Sequence, residues 1–448
     1  MKIGFVPSHR SMFRDDDSYS MRNRTLKVLS AMKGVEVVVP SEELTQKGLV
    51  RNDEDAEKTV DLFKHEKIDG LVIGAMNFGD EVSALSVASA FPKHPKMVFA
   101  VKEEPEATGE ARRDSFCGTL SITSGLYRRK MPFMLAGVLL PEEPRFKNAV
   151  AGFIRVCSIV QGFRGANIGL VGPRPERFET CTFNEVALIR QFGQRVVPVS
   201  SADRFHVANS LQEGDPELQK IAREIGETAD TSGLREGVLP KIVRLECALA
   251  RFAREKRLAA MGVRCWPTTF MAFGIAPCFA LGRLTDQGVM SACEADVYGA
   301  LSMLLQYLAV LKSSVPHFID WTAQHPKHEN LFLAWHCGNA PPSHACKGCK
   351  AQVAGMGQGA FALKKGDVTI CRLQEYDGKF KLLVTKGEVE EAESIPQTGR
   401  WVKVDNLEKL YTVLAEEGFV HHASMIHGDY TQVLLDACKF LGIEPIVV

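Results

Sequence analysis

Short, continuous apolar runs alternate with amphipathic stretches through the first hundred residues. Residues 2–6 read as a strand, about 20–33 as a helix stopped by Gly34, and Val35 to Val39 as a second strand. A helix near 55–66, the strand Gly70 to Gly74, a helix near 80–91 and the strand Met97 to Val101 continue the pattern. Strands that are apolar on both faces and separated by helices predict a parallel sheet covered on both sides. Ligands of such sheets meet the carboxyl ends of the strands. There the chain carries Ser8-His9-Arg10 and Met76-Asn77-Phe78-Gly79, which suit a ligand pocket or ordinary surface loops alike. No G-x-G-x-x-G follows the first strand, which disfavours dinucleotide binding.

Pro141 to Pro144 breaks this pattern, and a second α/β unit follows. A helix near 145–163 leads to the strand Asn167 to Val171 and the loop Gly172 to Phe178. Phe183 to Phe192 looks helical, and Val196 to Val199 is a strand. A long helix spans 235–258, interrupted or begun at Pro240. The strand Met261 to Trp266 exits through Trp266-Pro267-Thr268-Thr269-Phe270, an aromatic wall for a pocket or simply core. From Val297 to Leu308, apolar residues recur at i, i+3, i+4 spacing, one face of a helix. Glu294, three residues earlier, falls on the same stripe, in the expected first turn. Val315 to Ile319 and Leu331 to Trp335 read as strands. Beyond about residue 340 the texture becomes antiparallel. Val368 to Leu373 and Phe380 to Val384 flank Asp377-Gly378, a hairpin signal. Phe361 to Leu363 and Trp401 to Val404 are expected as flanking strands, and helices at about 406–416 and 431–441 surround His421-His422.

A chain of 448 residues is too long for one ordinary core. The expected domains are 1–140, 141–312 carrying Glu294, and 313–448 carrying Asp320, His336 and His422. Hydrophobic content of 45% and charged content of 24% are those of a soluble globular protein. A net charge of zero argues against a nucleic-acid surface or a polybasic membrane face. No apolar run is long enough for a membrane span, and the start reads as a strand rather than a signal peptide. The 12 scattered cysteines are expected to be reduced, and the cytoplasm is the expected location.

Eight of the 12 histidines lie beyond residue 316, which concentrates the candidate chemistry there. An ionised Glu294 on a buried stripe is costly. A helix N-terminus recovers only about 0.3–1 kcal/mol, against several for burial, and a bound cation would close the gap. Asp320 ends one apolar run and His336 follows another. Two carboxylates with imidazoles suit a borderline-hard divalent ion such as Mn²⁺. Cys346-Lys347-Gly348-Cys349 lacks the second pair of a zinc ribbon, Gly355 to Gly359 lacks the context of a phosphate loop and is expected to be flexible, and no G-x-S-x-G is present.

These blocks together resemble the L-fucose isomerase / L-arabinose isomerase family over nearly the full chain. Ala292-Cys293-Glu294-Ala295-Asp296 is similar to its acidic helix start and Phe318-Ile319-Asp320 to its second acidic position. Trp335-His336-Cys337-Gly338 and Gly418-Phe419-Val420-His421-His422 are similar to its two histidine positions. Glu294 and Asp320 are 26 residues apart, and Asp320 and His336 are 16 apart, as the family has them. The second acid is Asp, as in the fucose branch, while His336 matches the arabinose branch. His422 falls on the family's ligand. The resemblance implies two flavodoxin/Rossmann-like parallel-sheet domains followed by a C-terminal domain containing an antiparallel β-barrel. It implies aldose–ketose isomerisation through a cis-enediolate, with Mn²⁺ or another divalent metal on Glu294, Asp320, His422 and His336. Glu294 and Asp320 would be the acid/base pair, in either order. It further implies a homo-oligomer (trimer, tetramer or hexamer) whose pocket is completed by a neighbour's first domain. His9, Arg10, Asn77 and Phe78 would then contact the sugar, and Phe183 and Phe270 match pocket positions. Ser8-His9-Arg10-Ser11 departs from both branches. Arg10 could accept a sulfonated or phosphorylated hexose, or pair with Asp15, Asp16 or Asp17. A non-catalytic sugar-binding or regulatory protein on the same scaffold is the alternative from another class; it has no need of four metal-type residues.

Overall fold

The computed structural model describes residues 1–104, 112–390 and 398–448. The chain divides into two compact units, 1–161 with 439–441, and 162–438 with 442–448. The first unit alternates β1 (Lys2–Ser8), α1 (Asp15–Ser30), β2 (Glu36–Val38), α2 (Asp53–Glu66), β3 (Gly70–Ala75), α3 (Glu81–Ala90), β4 (Lys96–Val101), α4 (Ser115–Arg128) and β5 (Met134–Leu139). Helix α5 (Pro144–Phe163) carries the chain onward. The strands form one parallel sheet in the order β2-β1-β3-β4-β5. Every residue of β3 and β4 is buried, the expected state of strands covered on both faces. One face packs under Phe63, Ile73 and Leu126, the other under Phe99, Phe146 and Phe153. Asn52 and Asp80 cap α2 and α3, accepting from the amides of Asp55 and Ser83. The strand order reverses between β1 and β3, so their carboxyl ends flank a crevice.

Two elements of this unit carry no clear pattern in the sequence. Helix α4 is built from Ser-Phe-Cys-Gly-Thr-Leu-Ser-Ile-Thr-Ser-Gly, rich in glycine and in serine and β-branched residues of low helix propensity. Strand β5 shifts register against β4 at Gly137, whose φ is +113°.

The second unit begins with β6 (Asn167–Val171), α6 (Glu185–Phe192), β7 (Arg195–Val199), α7 (Ser201–Ser210), α8 (Pro216–Thr228) and β8 (Ala229–Leu234). It continues with α9 (Val238–Lys256), β9 (Leu258–Val263), α10 (Cys278–Asp286), β10 (Met290–Cys293) and α11 (Val297–Ala309). Pro240 sits in the first turn of α9, where its missing N–H costs nothing. Strands β10-β9-β6-β7 make a second parallel sheet.

Next come β11 (His317–Gln324), β12 (Leu331–Trp335), β13 (Ala351–Gly355), β14 (Gln358–Gly359), β15 (Gly366–Tyr376), β16 (Lys379–Val389) and β17 (Arg400–Lys403). The chain ends in α12 (Leu407–Glu416), β18 (His422–His427), α13 (Thr431–Leu441) and β19 (Glu444–Val447). Strands β15-β18-β11-β12-β17-β16 pair antiparallel in that order, and β16 pairs back to β15, closing a barrel. Ile319, Phe332, Ile370, Leu383, Val402 and Met425 belong to its core. Asp377 and Gly378, with φ of +52° and +80°, make the tight turn between the two longest strands. The two parallel-sheet regions and the antiparallel barrel are the fold class expected from the sequence.

The strand expected over Met261 to Trp266 runs instead from Leu258 to Val263, with Trp266 in the turn that follows, and three further local expectations differ. Phe361 to Leu363 forms no strand, contributing only a bridge from Leu363 to Ala345. Residues 355–359 are not a loose loop but the turn between β13 and β14. Cys346 and Cys349 are joined as a disulfide, while the other ten cysteines are free. Among the described residues no helix is long and apolar enough to cross a membrane.

Candidate active site

The site begins where β10 leaves the second sheet. Glu294 does not lie in the first turn of a helix, as the apolar stripe implied. It precedes α11 by three residues, in a turn where Glu294 and Ala295 have φ of +61° and +60°. Two successive left-handed non-glycine residues cost of order 1–3 kcal/mol each and persist only where the surroundings enforce them. Here they are enforced. The Asp296 amide donates to the Cys293 carbonyl at 3.1 Å, and Asp296 caps α11 by accepting from the Gly299 amide at 2.8 Å. Trp266 Nε1 donates to Glu294 Oε1 at 2.7 Å.

Gly262 on β9 leaves room for this turn. A Cβ there would lie 2.7 Å from the Ala295 carbonyl carbon and 3.0 Å from the Asp296 amide. Neither is a flexible side-chain end, so Gly262→Ala must displace the turn. The expected loss is about 1–3 kcal/mol of stability and on the order of 10²-fold in turnover through misplacement of Glu294. Thermal melts and steady-state kinetics on the variant check it; parent-like turnover would show that the turn tolerates displacement.

The barrel supplies the other side chains from three adjacent strands. Asp320 on β11 is directly opposite His422 on β18 and Trp335 on β12. Directly opposed residues of antiparallel strands share a face, so Asp320 and His422 stand side by side, and His336 follows one residue beyond Trp335. His422 Nε2 is 3.0 Å from Glu294 Oε2 and 3.7 Å from Asp320 Oδ1. His336 Nε2 is 3.9 Å from Asp320 Oδ1. The four residues that the sequence singled out therefore meet. The rings of Phe318 and Phe178 wall them, at 4.8 and 6.0 Å from the His422 ring.

The histidines differ in how their rings are held. His422 Nδ1 bonds Asp296 Oδ2 at 2.8 Å. A carboxylate partner assigns the proton to Nδ1 and leaves the Nε2 lone pair facing Glu294 and Asp320. Asp296 is itself buried and ion-paired with the buried Arg372. Burial opposes its charge, but Arg372 and His422 outweigh burial and hold its carboxyl well below the usual range. His336 is held the other way. Its Nδ1 accepts the backbone N–H of Cys337 at 3.0 Å, so the neutral ring carries its proton on Nε2, toward Asp320.

Burial also acts on the two facing carboxyls, with opposite outcomes. At Glu294 it is outweighed by His422, His336 and Trp266, and the pKa lies below the ordinary value. At Asp320 burial prevails over His336 and His422, and the pKa is raised. Apart from one another, Glu294 Oε2, Asp320 Oδ1 and His422 Nε2 are all buried without a hydrogen-bond partner among the described residues. The ligand atoms of Asp320, His336 and His422 lie within 4.8 Å of one another, as do those of Glu294, His421 and His422. Two carboxylate oxygens and an imidazole nitrogen, otherwise unsatisfied and converging, fit a divalent ion of the hard-to-borderline kind. The chemistry of this donor set does not choose among such ions.

Among the further residues, the first unit gathers His9, Arg10, Asn77 and Phe78 at its own crevice. The Nδ1 of the buried His9 ring bonds Ser18 at 2.9 Å and Asn77 at 2.8 Å, and its Nε2 lies 2.8 Å from Asp15 Oδ1. Arg10 stacks 4.9 Å over Phe78 and is paired with Glu81, not with Asp15, Asp16 or Asp17. Phe183 is half-buried ahead of α6, and Phe270 is 51% exposed in the turn after Trp266. The aromatic that stands against His421, His422 and Trp266 is Phe178, in the loop after β6. Arg372 and the orienting role of Asp296 escaped the sequence reading. Their signals were a lone arginine inside the apolar run 368–373 and an aspartate immediately before a helical stripe.

Two family models match the chain. "Fucose/sulfoquinovose isomerase, N-terminal domain" matches residues 4–164, and "L-fucose isomerase, C-terminal domain" matches 335–447, which includes His336 and His422. Full-length relatives span Glu294 and Asp320 as well. A protein named sulfoquinovose isomerase from Priestia aryabhattai is 26% identical over 451 residues, covering 98% of this chain and 97% of its own length. One of the same name from Alkalicoccus urumqiensis is 27% identical over 394 residues, covering 85% and 86%. A third, from a Clostridium species, is 26% identical over 392 residues, covering 84% and 85%.

Proposed function

Since this chain belongs to the L-fucose isomerase family and is an aldose–ketose isomerase, we propose that its substrate is a sulfonated hexose of the sulfoquinovose kind. The relatives' names supply that substrate class. We further propose that the reaction depends on a divalent metal, Mn²⁺ fitting the donor set. Glu294, Asp320 and His422 would hold it. The observation that carries this reading is the convergence of three buried atoms, Glu294 Oε2, Asp320 Oδ1 and His422 Nε2, which face one another and, apart from one another, have no hydrogen-bond partner among the described residues.

When bound, a divalent ion supplies Lewis acidity to adjacent substrate oxygens and makes the C–H beside the carbonyl acidic. The chain's own groups do the rest. Of the pair Glu294 and Asp320, one carboxylate removes the proton from C2 of the aldose and returns it to C1 of the cis-enediol, and the other moves the hydroxyl proton from O2 to O1, so that the ketose forms with no net gain of protons. Asp296 keeps His422 in one tautomer, and His336 offers its Nε2–H to Asp320 or to a sugar oxygen. Phe178 and Trp266 cover the site and limit water.

The protein acts in the cytoplasm as a homo-oligomer, with regions 1–140, 141–312 and 313–448 in separate roles. His9, Arg10, Asn77 and Phe78 of one subunit complete a neighbour's pocket, and Phe183 and Phe270 lie along the sugar. The buried network at His9 and Asn77 supports this, because it fixes polar groups at a crevice where α/β sheets take ligands.

Dialysis against EDTA should abolish isomerisation, and Mn²⁺ should restore it, followed by NMR on sulfoquinovose beside neutral aldoses and ketoses. Full activity after metal removal would refute the metal dependence. Turnover of neutral sugars alone would refute the substrate class.

A further inference from the structure

The second parallel sheet reverses its strand order between β6 and β9. From β6 the chain moves outward to β7 on one side, and from β9 to β10 on the other. Ligand crevices form outside the carboxyl ends of strands at such a point. Gly172 leaves β6 there, Arg264 leaves β9, and Glu294 leaves β10.

Arg264 is built into that position. Its amide donates to the Val171 carbonyl at 2.9 Å, extending the ladder between β9 and β6 one residue past the strand. Gly172, at φ +76°, packs against Ser201 and Arg264: a Cβ there would meet Ser201 Oγ first and would lie 3.2 Å from Arg264 Cβ and 3.5 Å from Cδ. Gly262, two residues earlier, abuts the Glu294–Asp296 turn, and Trp266, two residues later, donates to Glu294. Positions two apart in an extended chain share a face and lie about 6.6 Å apart. The backbone of Arg264 thus lies about that far from Gly262, which packs against Ala295 and Asp296 beside Glu294.

Among the described residues the guanidinium has no counter-charge. Arg264 is half-buried, its Nε is buried without a hydrogen-bond partner, and among the described residues no carboxylate pairs with it. The arginines of this unit that are paired include Arg251 with Asp215 and Glu217, Arg283 with Glu224 and Glu246, and Arg372 with Asp296; Arg204, like Arg264, has a buried Nε without a partner among the described residues, but it stacks on Phe252. Removing a cation from water without compensation is costly. An arginine left so at a ligand crevice is set for an anion, and its planar fork matches the oxygens of a sulfonate or phosphate. Arg10, the cation that the sequence offered for this task, already has Glu81 and the Gly79 carbonyl.

We propose that Arg264 is the specificity-determining residue that binds the anionic group at C6 of the hexose while C1 and C2 lie at Glu294, Asp320 and His422. This rests on the isomerase site proposed above. The length is suitable, since five carbon–carbon bonds in extended form span roughly 6 Å.

The test measures kcat and KM for parent, Arg264→Gln and Arg264→Lys on sulfoquinovose, on quinovose (the same sugar without the sulfonate) and on glucose 6-phosphate. The expected result is a fall of about 100-fold in the kcat/KM ratio of sulfoquinovose to quinovose in Arg264→Gln. The change should appear mainly in KM, with part recovered in Arg264→Lys. The phosphate arm separates a general anion site, where both anionic sugars lose equally, from one shaped for sulfonate, where only sulfoquinovose does; either supports Arg264 as the anchor. An unchanged KM for sulfoquinovose in Arg264→Gln, or equal losses on sulfoquinovose and quinovose, overturns it. Should Arg264→Gln fail to fold, Arg264→Lys decides alone, by a shifted or unshifted selectivity ratio. A parent enzyme that turns over only neutral sugars removes the substrate reading itself, an outcome distinct from a parent that prefers sulfoquinovose through some other residue.

Discussion

Asp320→Asn should lose turnover by about 10³-fold or more and melt no earlier than the parent protein. The catalytic loss combines two effects. A positioned acid or base contributes typically 10²–10⁴-fold, and an amide is a much poorer ligand for a hard cation. The folding expectation follows from the surroundings of Asp320. Its Oδ1 is buried without a hydrogen-bond partner among the described residues, and burial already raises its pKa. Removing that charge gives up no hydrogen bond at Oδ1 and relieves a desolvation cost beside Glu294. Functional sites commonly carry such unfavourable features. NMR-monitored isomerisation, metal content and a thermal melt measure the three quantities. Turnover within tenfold of the parent would remove Asp320 from the reaction, and a large drop in melting temperature would mean that its carboxylate is structural.

Asp296→Ala should show the opposite profile, with a large stability cost of about 3–5 kcal/mol. Asp296 is 1% exposed, and Arg372, its partner, is wholly buried. Truncating one member of a buried ion pair strands the other, which sets that magnitude. Loss of the cap on the Gly299 amide adds about 1 kcal/mol. His422 would lose the partner that fixes its tautomer, so activity should fall as well. Arg372→Met on top of Asp296→Ala should recover much of the stability, since an apolar replacement for both partners leaves no stranded charge, but not the activity.

The pH dependence has a definite sign. The folded pKa of Asp296 is depressed, so its contribution is complete above the unfolded value of about 3.9 and drains away as the pH falls below it. The gap between parent and Asp296→Ala in denaturant midpoint should narrow in that acid range. A variant within about 1 kcal/mol of the parent at neutral pH, on the scale of an ordinary surface change, would show that Arg372 finds another partner.

The alternation of strands and helices, the hairpin at Asp377-Gly378 and the approximate bounds of most helices could be read from the chain. They follow from local periodicity, which depends on nothing distant. Glu294 shows where that reasoning stops. The stripe from Val297 to Leu308 extends backward by one step to Glu294, so periodicity alone puts it in the helix. The aspartate cap at 296 ends the helix sooner, and a backbone reversal held by Gly262, Trp266 and the Cys293 carbonyl sets the carboxylate free to face the barrel. Phe178 was passed over in favour of Phe183 and Phe270 for a similar reason. Which aromatic of a loop turns inward depends on what lies across from it.

The residue types at the site were therefore fixed by the chain itself: two carboxylates and two imidazoles, each at the end of an apolar run. Their roles were not. Whether a histidine lends a lone pair or a proton depends on its second nitrogen, and those partners, Asp296 for His422 and the Cys337 amide for His336, reach the rings only through the folded backbone. The same holds for charge. Fifty-four basic and fifty-four acidic residues balance on paper, yet only the fold decides that Arg372 has a carboxylate beside it and that Arg264 has none among the described residues.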